Sequence, residues 1–314
     1  MQRHSIKLFL RRFTLSQRRS LKYLTSNQVD QYNNDGYVVA NSLLNKEEIT
    51  EARKALEQLI DRSRSTARSD EIYELQDDHN SEHPKVERIK FPSEQHPVFK
   101  KLLNHPKLLN AVEDLIGPSF RYMPQDKLNV KPAGHGGAIR WHQDWAFFPH
   151  TNDSVLTASV LLYDSIRENG CLQVIPKSHK GPIISHFHDG KFVSTITETN
   201  FQTEDSVYLE APAGSVTLHH VRIIHGSARN TSTLPRSVVC FIYNAMDAWP
   251  LLGVAGSDFK NTGPVDFDMF DKTRLRGEKC ITPRLEKVPV HLPVPFDYPS
   301  TVFDMQFEVE EPQA

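Results

Sequence analysis

After Gly117-Pro118 the chain stops sustaining any helical period, and this change constrains the fold more than any other feature. Segments become short, β-branched and separated by Gly, Pro or Asn. Residues 121–130, 138–145, 155–163, 172–175, 207–209, 215–219 and 237–244 read as strands. Short strands in this number, with turns between them, point to a sandwich or a barrel-like jelly roll. Upstream the texture is helical. A short helix over 27–34 stops at Gly36, and YVVANSLL (37–44) reads as a strand. Asn45 followed by Glu48 has capping-box spacing. Ile49, Ala52, Leu56, Leu59 and Ile60 then recur at helical period. Residues 66–82 are polar and read as a loop. VFKKLL (98–103) and KLLNAVEDLI (107–116) form a second helical pair. Helices that precede strands suit a mixed, mainly β fold with the helices packed on the outer face of one sheet. The expected organisation is one domain over 27–314: helical 27–118, a jelly-roll core over 119–245 and an irregular, Pro-rich tail over 246–314.

Composition narrows the function classes. The formal net charge of −2 gives no general reason to expect nucleic acid as a partner. No apolar run approaches the ~20 residues of a membrane span. Cys171, Cys240 and Cys280 are few, odd in number and widely spaced, which argues against a disulfide framework or a zinc module. The N-terminus departs from the rest. Residues 1–26 carry Arg3, Lys7, Arg11, Arg12, Arg18, Arg19 and Lys22 and no acid. Arg-rich, Ser-containing, acid-free and amphipathic is the description of an organelle transit peptide. The expected address is mitochondrial, ahead of cytoplasmic or peroxisomal; the terminal EPQA is not an SKL-type signal. The plainer reading of 1–26 is a disordered basic tail.

AIRWHQDWAFFPH (138–150) places His142 and Asp144 among Trp141, Trp145, Phe147 and Phe148. An imidazole and a carboxylate are costly in apolar surroundings unless something satisfies them. In a strand, residues two apart share a face, so His142 and Asp144 project together and Gln143 projects away. That is half of a divalent-metal site. His219, His220 and His225 in HHVRIIHGSARN are the candidates for a third ligand. Two histidines and a carboxylate form the facial triad of non-haem Fe(II) oxygenases. With fifteen histidines in the chain, His-x-Asp alone says little. Its order with a later histidine and with Arg236 says more. A strand carrying His225, a turn and a return strand starting at Arg236 would bring a guanidinium near the metal, suited to clamping a carboxylate.

WHQDW…FFPH (141–150), ENGCLQVIPKSHKG (168–181) and GSVTLHHVRIIHGSARN…R (214–236) together resemble the phytanoyl-CoA dioxygenase family of Fe(II)- and 2-oxoglutarate-dependent oxygenases. The resemblance spans most of 37–244. It implies a double-stranded β-helix holding Fe(II) through His142, Asp144 and His225, with His219 and His220 outside the ligand set. It implies 2-oxoglutarate as cosubstrate, its distal carboxylate on Arg236 with the Ser227 hydroxyl, and Gln143 and Lys127 flanking it. A basic residue near Arg88 or Lys90 is a further candidate. O2 is the oxidant, succinate and CO2 are released, and a small organic substrate is hydroxylated: an acyl-CoA, an amino-acid-like compound or a natural product. An aspartate at 144 argues for hydroxylation, since related halogenases carry a small residue there. The chain departs from the family at Lys177, where Pro-Gly-Ser-His is typical, and at Val160, where some members carry Trp.

Other motifs have plainer readings. Trp145, Phe147 and Phe148 either line the substrate entrance or pack in the core. Lys177, His179 and Lys180 read as a solvated loop. His186 and His188 read as loop histidines without a third ligand. Asn230-Thr231-Ser232 reads as turn chemistry. The competing function is a non-catalytic jelly-roll protein that binds or senses a ligand. The complete set of His142, Asp144, His225 and Arg236 favours the enzyme.

Overall fold

The structure is a computed structural model that describes residues 20–134, 136–198, 201–251 and 271–290. In chain order the elements are α1 (Ser26–Asp35), β1 (Tyr37–Ala40), α2 (Lys46–Arg62), β2 (Tyr73–Leu75), β3 (Val86–Lys90), α3 (Pro92–Gln95), α4 (Pro97–Leu103), α5 (Pro106–Ile116) and β4 (Phe120–Lys131). Then come β5 (Ile139–His142), β6 (Val155–Leu161), β7 (Gln173–Val174), β8 (Phe187–His188), β9 (Lys191–Phe192), β10 (Val207–Tyr208), β11 (Val216–His220), β12 (His225–Ser227), β13 (Arg236–Ala245) and β14 (Arg274–Arg276).

The described strands form two large antiparallel sheets and the two-stranded β8–β9 hairpin. The larger runs β1-β11-β6-β13-β4-β3-β2, with β14 beside β4, and the smaller runs β10-β7-β12-β5. Strand alternation gives the larger sheet two different faces. Leu156, Ala158 and Val160 of β6, Val216 and Leu218 of β11 and Val239, Phe241 and Tyr243 of β13 join one core cluster with Ile49, Leu56 and Leu59 of α2, Phe99 of α4 and Leu108 and Val112 of α5. The intervening residues, Thr157, Ser159, Thr217, His219, Cys240 and Arg236, lie on the opposite face, inside the jelly roll, and are buried as well. Helices therefore cover the outside of the larger sheet, and its inner face looks toward the smaller sheet and, at Val155 and Ile242, packs against Trp145, Phe148 and Val288.

Local signals account for the helices. Asn45 and Glu48 cap α2 reciprocally, each side chain accepting the other's backbone N–H. Thr25 and Gln28 do the same for α1, which ends at Gly36 with φ 86°, a value that favours glycine.

Four expectations need correction. Beyond the expected strand at β1, the segment 27–118 also holds β2 and β3, and β2 interrupts the expected loop 66–82. The inward residues of β2 and β3 are charged: Arg88 pairs with Glu74 at 3.3 Å and donates to Asn129 Oδ1 at 2.8 Å. Mutually satisfied charges hide these strands from an apolar pattern. The expected strand 138–145 ends at His142, and Asp144 opens a 3-10 turn, Asp144–Ala146. The strand expected over 37–44 stops at Ala40, and Ser42 turns the chain with φ 49°. Residues 271–290 are built into the domain: Trp145 Nε1 donates to Pro289 O at 2.7 Å, and Arg284 pairs with Asp247 at 2.9 Å. The rest of the expected tail, 252–270 and 291–314, lies outside the described residues.

The boundary at residue 26 also moves. The Asp114 carboxylate accepts the backbone N–H groups of Lys22, Tyr23 and Leu24 at 2.8, 2.8 and 2.9 Å, and Leu24 is buried in the main core. Residues 1–19 lie outside the described residues. A chain starting at Ser20 should melt above one starting at Asn27. A chain starting at Asn27 loses Leu24 and the Thr25 cap, a cost of about 3 kcal/mol. Equal melting temperatures for the two truncations would refute the docking of 22–25.

His150 links stability to pH. It is buried, its Nδ1–H donates to Phe148 O at 2.8 Å, and burial pushes its pKa down to about 4. The unfolded chain takes up this proton near pH 6.5, before the folded chain does. The contribution is therefore fully present above about pH 6.5 and is lost as pH falls toward 4, by roughly 2 kcal/mol at pH 5. Urea midpoints at pH 7.5 and 5.0 should differ less for His150→Gln than for the wild type; an unchanged difference would remove His150 from the account.

Candidate metal centre

The pairing of two short strands builds the centre. β12 runs antiparallel to β5 with His225 directly opposite His142, and the imidazole centroids are 4.1 Å apart. The strands pack so closely at Gly226 that an added Cβ would meet Ile139 O at 3.0 Å, which only glycine avoids. Asp144 reaches the same place from the 3-10 turn, which is tied down by Trp145 N–H donating to Val221 O at 2.9 Å.

Hydrogen bonds fix the protonation of each group. His142 Nδ1 faces Arg140 O at 2.8 Å and His225 Nδ1 faces Ile223 O at 3.1 Å. A carbonyl only accepts, so each Nδ1 carries the proton and each Nε2 keeps a lone pair. Burial pushes the His142 pKa down to about 4 and that of His225 well below its ordinary value, so both rings are neutral. Burial opposes charge on Asp144, yet His225, His219 and Lys127 outweigh it and hold the carboxyl well below the usual range. Thr157 Oγ1 donates to Asp144 Oδ2 at 2.7 Å. That leaves Oδ1 facing His142 Nε2 at 3.7 Å and His225 Nε2 at 3.9 Å, both too long for hydrogen bonds.

His142, Asp144 and His225 thus offer donor atoms that all lie within 4.8 Å of one another, and all three residues are buried. Lone pairs facing one another in the interior repel unless a cation lies between them. Two neutral imidazoles and one carboxylate fit a divalent first-row metal with open positions. Among the described residues this is the one such group.

The remaining predicted residues separate. Ser227 closes β12, and Arg236 opens β13 on the facing sheet. Arg236 is 4% exposed and its Nε is unpartnered. Lys127 lies on the inner face of β4, half-buried, opposite Cys240 and Lys90 in register, and its charge acts on both Asp144 and His142. Gln143 does not reach the centre. Its amide donates to Pro182 O and Arg222 O at 3.2 and 2.8 Å and accepts from Ile184 N at 2.9 Å, so it anchors two loops. Trp145 is 1% exposed in a second core cluster with Phe148, Ile183 and Val221, and lines a small cavity with Ile184, His186 and Phe187. Phe147 does approach the centre, its ring edge-on to His142 at 5.9 Å and to Phe192 at 5.1 Å. Arg88 is engaged by Glu74 and Asn129, and Lys90 Nζ donates to Asp70 O at 2.6 Å. His220 packs against Tyr32 and His179 on the outside of the sheet. His219 faces inward, with Nε2 3.6 Å from Asp144 Oδ2. His186 Nε2 accepts from Gln143 N at 3.0 Å, a structural role.

Two residues were missed. Thr157 orients Asp144, and its signal was the alternation of small hydroxyls with aliphatics in VLTASVL. Lys131 is in phase with Lys127 and Asn129 on β4, and pairs in register with Arg236. Lys177 explains its own departure: its φ is 68°, a conformation that glycine adopts at less cost.

Fold and site define a double-stranded β-helix protein with a buried two-histidine, one-carboxylate cluster. A protein-family model described as Phytanoyl-CoA dioxygenase (PhyH) matches residues 32–238. The chain is 30% identical over 287 residues to a "Probable alpha-ketoglutarate-dependent hypophosphite dioxygenase" of Stutzerimonas stutzeri, covering 89% of this chain and 96% of that protein. It is 26% identical over 243 residues to the ectoine dioxygenase of Bordetella parapertussis, covering 71% and 76%. The fold matches the crystal structure of EctD from S. alaskensis with bound Fe at a TM-score of 0.61 and 23% identity, covering 85% and 88% of the two chains. It matches the carbocyclase SnoK from nogalamycin biosynthesis at 0.60 and 24%, covering 77% and 92%. The chain belongs to the phytanoyl-CoA dioxygenase family.

Proposed function

We propose that the protein is an Fe(II)- and 2-oxoglutarate-dependent dioxygenase that hydroxylates a small molecule and releases succinate and CO2. The convergence of His142 Nε2, Asp144 Oδ1 and His225 Nε2, with no proton between them, carries this reading. These three atoms would hold the iron, which when bound would supply O2 activation coupled to decarboxylation of 2-oxoglutarate. Backbone carbonyls of Arg140 and Ile223 hold both imidazoles in the liganding tautomer. Thr157 holds the outer carboxylate oxygen and so leaves one oxygen of Asp144 for the metal. Arg236, buried and with no carboxylate paired to it among the described residues, takes the distal carboxylate of 2-oxoglutarate. Phe147 and the β8–β9 hairpin keep water from the reacting face. The ammonium of Lys127 meets negative charge brought to the metal.

Relatives named for hypophosphite and ectoine differ too widely in chemistry to name this substrate. Aerobic incubation with Fe(II) and 2-oxoglutarate should give succinate, slowly without substrate and faster with it. Failure to consume 2-oxoglutarate in the presence of Fe(II) and O2 would leave a ligand-binding jelly roll as the better reading. The mitochondrial address rests on the acid-free, basic composition of residues 1–26 alone; the two bacterial relatives lend it no support. A reporter fused to these residues should enter mitochondria, and a cytosolic signal would reject that address.

A further inference from the structure

Lys131 is 2% exposed and has no carboxylate partner among the described residues. Its Nζ donates to Ser227 Oγ at 2.8 Å, to Ser227 O at 3.3 Å and to Ala228 O. Across the β4–β13 ladder it stands directly opposite Arg236, also buried and with its Nε unpartnered. A wall fixes the lysine stem: a Cβ on Gly136 would lie 2.4 Å from Lys131 Cβ. Two adjacent buried cations repel each other and are both desolvated, so a fold retains them only where an anion arrives. Burial and then Arg236 push the Lys131 pKa well below its ordinary value, and an anion beside it would oppose that shift.

We propose that Lys131 is a second cationic binding residue for the distal carboxylate of the cosubstrate. With Arg236 and the Ser227 hydroxyl it makes a three-point cradle. One carboxylate oxygen meets the guanidinium and the other meets the Ser227 hydroxyl; the ammonium, its three N–H groups engaged by Ser227 and Ala228, turns that hydroxyl's proton toward the carboxylate and supplies the second positive charge. The cradle selects a 2-oxo acid with a second carboxylate over one without. Lys131 also ties this selection to the metal strand, because its acceptors lie two and three residues beyond His225. The inference rests on the dioxygenase reading above.

Calorimetric titration of the Mn(II)-loaded full chain, without O2, tests it. The probes are 2-oxoglutarate and 2-oxobutyrate, which share a chelating head and differ in the distal carboxylate. Lys131→Met should raise the dissociation constant for 2-oxoglutarate about tenfold or more and leave that for 2-oxobutyrate within about twofold. Lys131→Gln keeps a donor for Ser227 and Ala228 but no charge, and should lose 2-oxoglutarate affinity as Met does. Lys131→Arg should retain most of it. Equal weakening of both acids would show that Lys131 only props β12, and unchanged 2-oxoglutarate binding in the Gln variant would show that its charge is not read; either result overturns the proposal. A wild-type protein that binds Mn(II) and neither acid would instead overturn the dioxygenase reading itself.

Discussion

Alanine at His142 or at His225 is expected to abolish turnover and to release Fe(II) during gel filtration. Each change removes a neutral nitrogen whose tautomer is already set by a backbone carbonyl, and the two remaining ligands seldom retain Fe(II) at working concentrations. The fold should survive, since the Thr157–Asp144 bond and the main core are untouched. Asp144→Ala removes the only anion of the set and opens a coordination position. Hydroxylation should collapse, and iron that persists should do so only with chloride in the buffer. His220→Ala should keep both iron and activity, because His220 packs outside the sheet. His219→Ala should keep iron, because its nearest nitrogen lies 3.6 Å from the outer oxygen of Asp144, the one that Thr157 holds. Metal content and succinate release, measured together on the five variants, check all of this. Wild-type activity in Asp144→Ala would mean that the ligand set is wrong.

Arg236→Ala should raise the apparent KM for 2-oxoglutarate by about 30-fold or more while the KM for the hydroxylated substrate moves little. Removing one partner of a buried, charge-assisted pair costs on the order of 2–5 kcal/mol. Arg236 stands beside Lys131 and Ser227, so the loss belongs to the cosubstrate. Steady-state kinetics with each substrate varied in turn decides it. A large change in the KM for the hydroxylated substrate, with the cosubstrate unaffected, would place the two sites the other way round.

How far the sequence could be read depended on whether a signal was local. The α2 capping box needs only Asn45 and Glu48, and it was legible. The gathering of His142 and His225 needs the register of two strands 83 positions apart, and an ordered set of motifs stood in for that register. Where no motif stood in, the reading slipped. Lys127 and Lys131 have the same phase on β4, and only the ladder shows that Lys131, not Lys127, faces Arg236. Trp145 is one residue from Asp144, but the 3-10 turn rotates it into the core against Pro289, a residue 144 positions away. Gln143 was expected to project away from the metal pair and also to flank the cosubstrate. Its three amide bonds to loop backbone agree with the first statement and leave nothing free for the second. β2 and β3 were missed because their inward residues are a salt bridge, which no apolar alternation reveals.

The most direct test of the central claim is an anomalous difference map, recorded at the iron edge, from crystals grown anaerobically with Fe(II) and 2-oxoglutarate. The account predicts one strong peak within bonding distance of His142 Nε2, Asp144 Oδ1 and His225 Nε2, with the cosubstrate reaching from it to Arg236. A peak at another set of side chains, or none at this cluster, would contradict it.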